Sequence, residues 1–574
     1  MADILKKIID HLNNGNLSEA FNLCENNNNN KIEHLILNIK GVIFFKQQKF
    51  EQAKIDFLKS IELDKSFIDP YKNLFKLNFK VKDYKSAIDN GKKVIELEIQ
   101  KNPISYFNLA LAYDFNKDYK KAIDLYKIVE SLNFKEKKIL FNNLGKCFLG
   151  DENINEAKNY YLKALEYDYN DKLIVNNLLI LFLRIGDKEN TEYFFNRAQE
   201  IDKNYIEFKL NKSEYLFFKN KIEDAINCLK EIIKESKNYV AYTKLSKIYS
   251  MIGDFKKSIE IIEQAIIEYP NQRDLKSTRG IQYLIEGEFE KGWEYYEFRD
   301  SIIKDESFKN FKTWQGENLK DSNILVTSEQ GLGDVIQFSK FLINLSPLCK
   351  NIDFIPFDNL LPIFKKKFKN INFCKKSEVI NKNYDYQIPL GSLNKFFYKE
   401  NKFQSSELLD FKSDLKEKYK SIMDHKKRNI GLIWSGNFFG PKEPFRSIEL
   451  KNFDKLLKLN VNYYSFQNEI WNRDKEFFEN SNIIDYSEKN FSEIISIIQN
   501  LDLVISTDTF FLHLSCICSK ETWGLIPFNA DWRWYDYYKF NPYKTLKIYK
   551  QDNYKNWNTV IQSIQNDIKI KFDI

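Results

Sequence analysis

Histidine and cysteine are too sparse in this chain of 574 residues to build a metal or disulfide framework. There are four His and seven Cys, with no CxxC pair and no Cys/His spacing of the zinc type. The nearest thiols, Cys516 and Cys518, stand as C-x-C in an apolar stretch that reads as a buried helix. Reduced, buried thiols are the expectation, and they fit a reducing compartment. Long apolar runs are missing as well. No stretch reaches the roughly 18 residues of a membrane-spanning helix, and the opening residues hold no apolar signal-peptide core, so a cytoplasmic location is expected. A large surplus of one charge is also absent: 88 basic and 81 acidic residues leave a net charge of +7, with the signs interspersed. The short basic runs Lys365-Lys366-Lys367 and Lys426-Lys427-Arg428 therefore read as solvated faces, and nothing points to a DNA or RNA binder.

Gly, Pro and Met are scarce, whereas aromatic residues reach 16% and Lys, Asn and Ile abound. That bias runs through the whole chain, so no single Phe, Lys or Asn carries weight. The length exceeds what one core can serve and predicts two or three domains.

The first half repeats itself. Small residues recur at Ala20, Ala53, Ala87, Ala122, Ala157, Thr191, Ala225, Ser258 and Gly292, at intervals of 33 to 35 residues. Four residues after several of them comes a large side chain: Phe57, Tyr126, Tyr161, Phe195, Ile262 and Tyr296. Twelve residues before stand Gly41, Ala110, Gly145, Ser246 and Gly280, again mostly small. Two antiparallel amphipathic helices per repeat explain this pattern: small residues let the helices cross closely, and the ring one turn later fills the gap toward the next hairpin. The period and both small positions match the tetratricopeptide repeat over about residues 1–303. Such an array is expected to grip a polypeptide partner; propping up the second half is the blander alternative. Asn142-Asn143 and Asn176-Asn177 are candidates for lining the groove.

After Arg299 the helical period stops. Strands are predicted at 323–328, 351–355 and 385–388, then at 429–434, 462–466, 501–506 and 522–526. Helices of about ten residues are predicted from Val335 and over 362–368, 449–459, 491–499 and 510–518. Alternation of this kind means βαβ units and parallel sheets, with ligands at the carboxyl ends of the strands. The expected architecture is an α-solenoid (1–303) followed by an α/β part with two Rossmann-like subdomains, 304–425 and 426–574, facing a cleft.

The strand-end loops hold five segments in one order: Ser328-Glu-Gln-Gly-Leu-Gly-Asp334 running on to Phe338, Trp434-Ser-Gly-Asn437, Arg446-Ser-Ile448, Ser506-Thr-Asp-Thr509 with His513-Leu514, and Pro527-Phe-Asn-Ala-Asp-Trp-Arg-Trp534. In that order they resemble bacterial tetratricopeptide-repeat proteins with a heptosyltransferase-like (glycosyltransferase family 9-like, GT-B) C-terminal domain, some of which are flagellin glycosyltransferases. The overall plan is also similar to the protein O-GlcNAc transferases. The resemblance implies sugar transfer from a nucleotide-sugar donor to a hydroxyl, without a metal or other cofactor, on a protein acceptor such as flagellin held by the repeats. A non-catalytic scaffold and a transferase acting on lipopolysaccharide or another glycan are the alternatives.

The resemblance assigns roles to residues. Asp334 becomes the acceptor-side base, on a loop with Gln330, Gly331 and Gly333; its other reading is a helix N-cap, where its pKa would be lowered. Asp508, Thr509 and His513 fall to the donor, with Ser435 and Asn437 on the neighbouring loop. The start of the helix at 510 favours a diphosphate. Arg446 is the first choice of cation for the phosphates and Lys442 the reserve. Capping for Asp508 or Thr509, a core position for His513 and surface salt bridges for the two cations are the plain alternatives. Phe510 and Phe511 depart from the family's small residues; they either crowd the phosphate site or pack into the sheet. Ser515-Cys516 replaces the family's Ala-Gly, and the first subdomain is short. Trp532 is expected to seal an interface between subdomains, with Arg533 left open.

Overall fold

The computed structural model describes residues 2–26, 30–299, 308, 311–364, 370–399, 413–437, 446–535, 543–554 and 556–574. Lys442 and the run Lys365–Lys367 lie outside them. The chain divides into two compact units, Met1–Phe208 and Lys209–Ile574.

Among the described residues, eighteen α-helices between Ala2 and Tyr296 pair as nine hairpins. The recurring small residues are all buried, Ala20, Ala53, Ala87, Ala122, Ala157 and Ala225 completely. Their partner position explains why: a Cβ on Gly41 would stand 2.5 Å from the Phe57 ring, and one on Gly145 2.6 Å from the Tyr161 ring. The rings occupy the space that the missing side chains leave, and they are buried to within 1%. Asn caps and Asp caps start several helices, as where Asp171 accepts from the N–H groups of Leu173 and Ile174 at 2.9 and 3.2 Å. The asparagines expected to line the groove bond inward. Asn177 donates to Asn142 at 2.8 Å, Asn143 to the Tyr126 hydroxyl at 3.2 Å, and Asn176 to the Lys172 carbonyl at 2.7 Å.

The second unit begins with the last hairpins and continues into two parallel sheets. The first contains β1 (Asn323–Thr327), β2 (Asn351–Ile355), β3 (Ile371–Phe373) and β4 (Tyr386–Pro389), in the order β3-β2-β1-β4. The second contains β5 (Arg428–Ile433), β6 (Val461–Ser465), β7 (Ile483–Asp485), β8 (Leu503–Thr507), β9 (Thr522–Ile526) and β10 (Leu546–Lys550), in the order β10-β9-β8-β5-β6-β7. β3, β7 and β10 escape the sequence reading because they are short or half-exposed edge strands. The helix expected over 449–459 is a 3₁₀ turn at Leu450–Phe453 and a single α turn at Asp454–Leu457.

Two boundaries differ from expectation. The last hairpin, placed with the solenoid at 1–303, shares its core with the first sheet: Leu284, Trp293 and Tyr296 belong to the same hydrophobic core as β1, β2 and β4. The helix Ser413–Ile422, expected with the first subdomain, packs instead on Phe491–Asn500 below the second sheet, where the Tyr419 hydroxyl donates to Glu493 at 2.8 Å. That core also includes Val504, Leu512, Leu514 and Ile526 of the second sheet, so the two α/β lobes meet through packed apolar side chains.

Candidate functional site

A parallel sheet opens a crevice where neighbouring strands send their connections to opposite sides. In the first sheet that point lies between β1 and β4, in the second between β5 and β8. The loops that leave these strands are 328–334, 390–394, 434–437 and 507–509, and they carry most of the predicted site.

The β1–β4 crevice is filled from the last repeat. Arg299 enters it with a side chain only 6% exposed and pairs with the equally buried Glu329. Its Nε donates to Glu329 at 3.0 and 3.2 Å, Nη1 to the Tyr296 carbonyl at 3.0 Å and to Glu297 at 2.7 Å, and Nη2 to Glu329 and to Ser392 at 2.8 Å. The Gly391 N–H completes Glu329 at 3.1 Å. Gln330, expected on an acceptor-side loop, accepts from the Tyr296 hydroxyl at 2.8 Å.

Asp334 sits in the first turn of the helix Leu332–Phe338, and Gly331 is that helix's N-cap residue. One carboxylate oxygen accepts from the Gly331 N–H at 3.0 Å, the capping role; the other accepts from Arg533. The side chain keeps 23% of its exposure. The expectation of a lowered pKa is corrected. Burial pushes the carboxyl above its usual range, and Arg533 and the Gly331 N–H only partly hold it back. Arg533 also bonds Asp531 and Gln337, both at 2.6 Å, so the loop after β9 is tied to the helix after β1.

On the second sheet, Ser435 is buried and locked by Gln467, which accepts from its N–H at 3.0 Å and donates to its hydroxyl at 2.9 Å. Gly436 donates to Ser447 at 3.0 Å, and Asn437 is exposed beyond it. Arg446 Nη1 donates to the Asp508 carbonyl at 3.0 Å, and the Thr509 hydroxyl meets Ser506 Oγ at 3.1 Å. Asp508 and Thr509 are half-buried at the start of the helix Phe510–Ile517. Two hydroxyls at the strand ends, Ser328 Oγ and Thr507 Oγ1, are buried without a hydrogen-bond partner among the described residues.

His513 is placed differently from its assigned donor role. It is 6% exposed, its Nδ1 lies 2.9 Å from the Tyr543 hydroxyl, and its ring stacks on Trp534 with centroids 5.9 Å apart. Burial, and then the charge of Arg533, push its pKa down to about 3. It is a neutral packing residue that leans on the other lobe: a Cβ on Gly333 would lie 3.0 Å from its Cδ2. Gly333 thus serves close approach of the two helix starts. Phe510 and Phe511 pack into the core, Phe510 against Phe491 at 4.8 Å and Phe511 against Phe466 at 5.9 Å.

Sequence reasoning left Arg533 open and passed over Glu329 and Lys340. The Trp-Arg-Trp triplet was the available signal for Arg533. Trp532 meets Trp293 of the last hairpin edge-on, at 5.0 Å. Beside it a pocket of about 20 Å³, room for one water, is lined by Gln337, Lys340, Asn394 and Arg533. Lys340 is 5% exposed, and burial pushes its pKa down to about 7. Among the described residues no cluster of three or more His, Cys, Asp or Glu is arranged to hold a metal. All seven cysteines are free thiols, and among the described residues no helix is long and apolar enough to cross a membrane.

Residues 35–67, 104–135, 140–171 and 239–271 match the tetratricopeptide repeat family. The TPR repeat-containing protein MJ0940 of Methanocaldococcus jannaschii is 28% identical over 112 residues, 19% of this chain and 34% of its own. The chain therefore spans about a third of that curated relative. Among solved structures, pilF of Pseudomonas aeruginosa is similar over 38% of this chain and 97% of its own, at 16% identity and a TM-score of 0.30. A tetratricopeptide repeat protein of Parabacteroides merdae is similar over 43% and 97%, at 14% identity and a TM-score of 0.36. The hairpins that fill roughly the first 290 residues are tetratricopeptide repeats, a fold that generally mediates contact between proteins, and they precede an α/β part built on parallel sheets.

Proposed function

We propose that this chain is a metal-independent glycosyltransferase that moves a sugar from a nucleotide-sugar donor to a hydroxyl of a polypeptide held by the repeats. The observation that carries the reading is the convergence of strand-end loops at the switch points of two parallel sheets, with Asp334 on one side and Arg446, Asp508 and Thr509 on the other. A diphosphate suits the start of the helix Phe510–Ile517, where backbone N–H groups and the guanidinium of Arg446 supply positive potential. A carboxyl raised by burial and oriented by an arginine suits a general base better than a freely solvated one. In this reading Asp334 takes the proton of the acceptor hydroxyl. Thr509 and Arg446 bear on the leaving nucleoside diphosphate, and His513 keeps the two helix starts in register. Flagellin, or another surface protein, is the acceptor implied.

One observation favours a second reading, a non-catalytic scaffold. Both oxygens of Asp334 already hold donors, and the crevice of the first sheet is plugged by Arg299. Melting of the full chain in the presence of UDP-, GDP-, ADP-, CMP- and dTDP-sugars separates the two. A rise in melting temperature with one donor, lost in Arg446→Ala, supports the transferase; no response to any donor favours the scaffold. Asp334→Asn should then cut transfer by about 10²–10⁴-fold with donor binding retained.

A further inference from the structure

We infer that the third hairpin carries a socket for an aromatic side chain, tyrosine above all, presented by an acidic segment of a partner polypeptide. The argument begins from a break in the repeat. The helices Ile68–Lys80 and Tyr84–Leu97 form this hairpin. Four residues after Ala87, where Phe57, Tyr126 and Tyr161 place rings in their own hairpins, stands Gly91. Twelve residues before Ala87, where Gly41, Ala110 and Gly145 are small, stands Phe75. Large and small are exchanged, and the exchange is incomplete. Phe75 approaches Gly91 from within the hairpin, with ring carbons 3.3 Å from where a Cβ would be, and Leu109 Cδ1 of the next helix stands 3.0 Å from the same point, so the unfilled room lies beside these two side chains, toward Asn108.

What remains is a cavity of about 190 Å³ between Lys72, Phe75, Lys76, Gly91 and Val94 on one side and Ile104, Ser105 and Asn108 on the other. An apolar cavity of about 150 Å³ already takes up benzene, so this one has room for a single ring. The next hairpin shows what fits. Thirty-five residues on from Gly91, Tyr126 fills the corresponding space completely buried, and its hydroxyl accepts from Asn143 at 3.2 Å. Thirty-five residues before Asn143 lies Asn108, which lines the cavity and makes no side-chain hydrogen bond among the described residues. The socket thus keeps the donor for a phenol while lacking the phenol.

The rim sets the charge. Lys76 is exposed with no carboxylate partner among the described residues and supplies the net positive charge, while Lys72 is paired with Glu98 at 3.4 Å. Ile104, 59% exposed, adds apolar surface at the mouth. A buried aromatic anchor with charges around it is the usual form of an interaction hot spot. The inference rests on the repeats binding a polypeptide and is independent of sugar transfer.

Calorimetric titration of the full chain with acetyl-Glu-Glu-Tyr-Glu-Glu-amide, and with Phe or Ala in place of Tyr, tests it. Tyr should bind about 5-fold more tightly than Phe, and Ala more weakly by a further factor of ten or more. Gly91→Tyr, which fills the socket from within, should abolish the preference for Tyr over Ala. Asn108→Ala should erase the preference for Tyr over Phe, and the surface change Lys76→Glu should weaken all three peptides. Both of these leave the helix packing alone and stand if Gly91→Tyr fails to fold. Equal binding of the Tyr and Ala peptides would remove the socket while leaving a charged peptide groove. Absence of binding by any peptide at millimolar concentration would count against the repeats as polypeptide receptors too. Self-association of the chain that Gly91→Tyr abolishes would make a second copy the occupant and overturn the acidic-peptide assignment.

Discussion

Replacing Arg299 by methionine should loosen the first sheet more than replacing Glu329 by glutamine, although both changes break the same ion pair. The difference follows from what each partner retains. In Glu329→Gln, Arg299 still holds Glu297 at 2.7 Å, the Tyr296 carbonyl at 3.0 Å and Ser392 at 2.8 Å, so its charge stays compensated. In Arg299→Met, the Glu329 carboxylate loses the guanidinium that meets both its oxygens and keeps the Gly391 N–H at 3.1 Å, a neutral donor, with its side chain 6% exposed. Removing one partner of a buried pair costs about 3–5 kcal/mol, and the methionine variant belongs at the upper end. The glutamine variant should cost about 2–3 kcal/mol, set by one lost charged hydrogen bond and one donor facing a donor. The double variant Arg299→Met/Glu329→Leu removes both charges and should be less damaging than Arg299→Met alone. Because the chain has two compact units, global unfolding is a poor readout. Amide hydrogen exchange in β1 and at Gly391–Leu393 reports the local opening instead, and 4 kcal/mol corresponds to roughly a thousandfold faster exchange. Equal effects of the two single variants, or a double variant worse than both, would refute this account of the crevice.

Gly333→Ala should cost about 1–3 kcal/mol, since its Cβ would press on His513 at 3.0 Å and that ring is fixed between Trp534 and Tyr543; His513→Ala added to it should recover much of the loss in a denaturant titration of the second unit's signal. His513 is held neutral down to about pH 3, while its unfolded pKa is about 6.5. The unfolded chain therefore binds the extra proton first, and the stabilisation is fully present above pH 6.5 and lost as pH falls toward 3, on the order of 4 kcal/mol over the window. His513→Phe should flatten that part of the stability curve, and an unchanged slope would show that the ring is not buried neutral. Lys340, pushed down to about 7 against roughly 10.4 when unfolded, acts in the alkaline range with the same sign: stability rises from pH 7 to 10 by a few kcal/mol, and Lys340→Met should remove the rise in melting curves.

How far these features were legible depends on how local their cause is. The repeat was fully legible, because close helix crossing demands a small residue in every hairpin and the demand recurs in sequence at a fixed interval. Buried central strands were legible for a similar reason: β1, β5, β8 and β9 must be apolar along their length. The edge strands β3, β7 and β10 were not, since a strand covered on one side needs no apolar run. Asp334 was singled out by the glycines around it, yet its direction of titration was misjudged, because a cap lowers a carboxyl and burial raises it, and burial is a property of the neighbours.

The amino-acid order by itself determined that helical hairpins come first and strand–helix alternation second, because both rest on periodicities of 3.6 and 2 residues that hold before any long-range contact forms. Only the tertiary structure decided which charges meet. Arg299 with Glu329, and Arg533 with Asp334, lie 30 and 199 residues apart along the chain. No local rule pairs them; they are partners because the hairpin end and the strand-end loops are packed together by a shared apolar core, and a buried charge there must find its opposite.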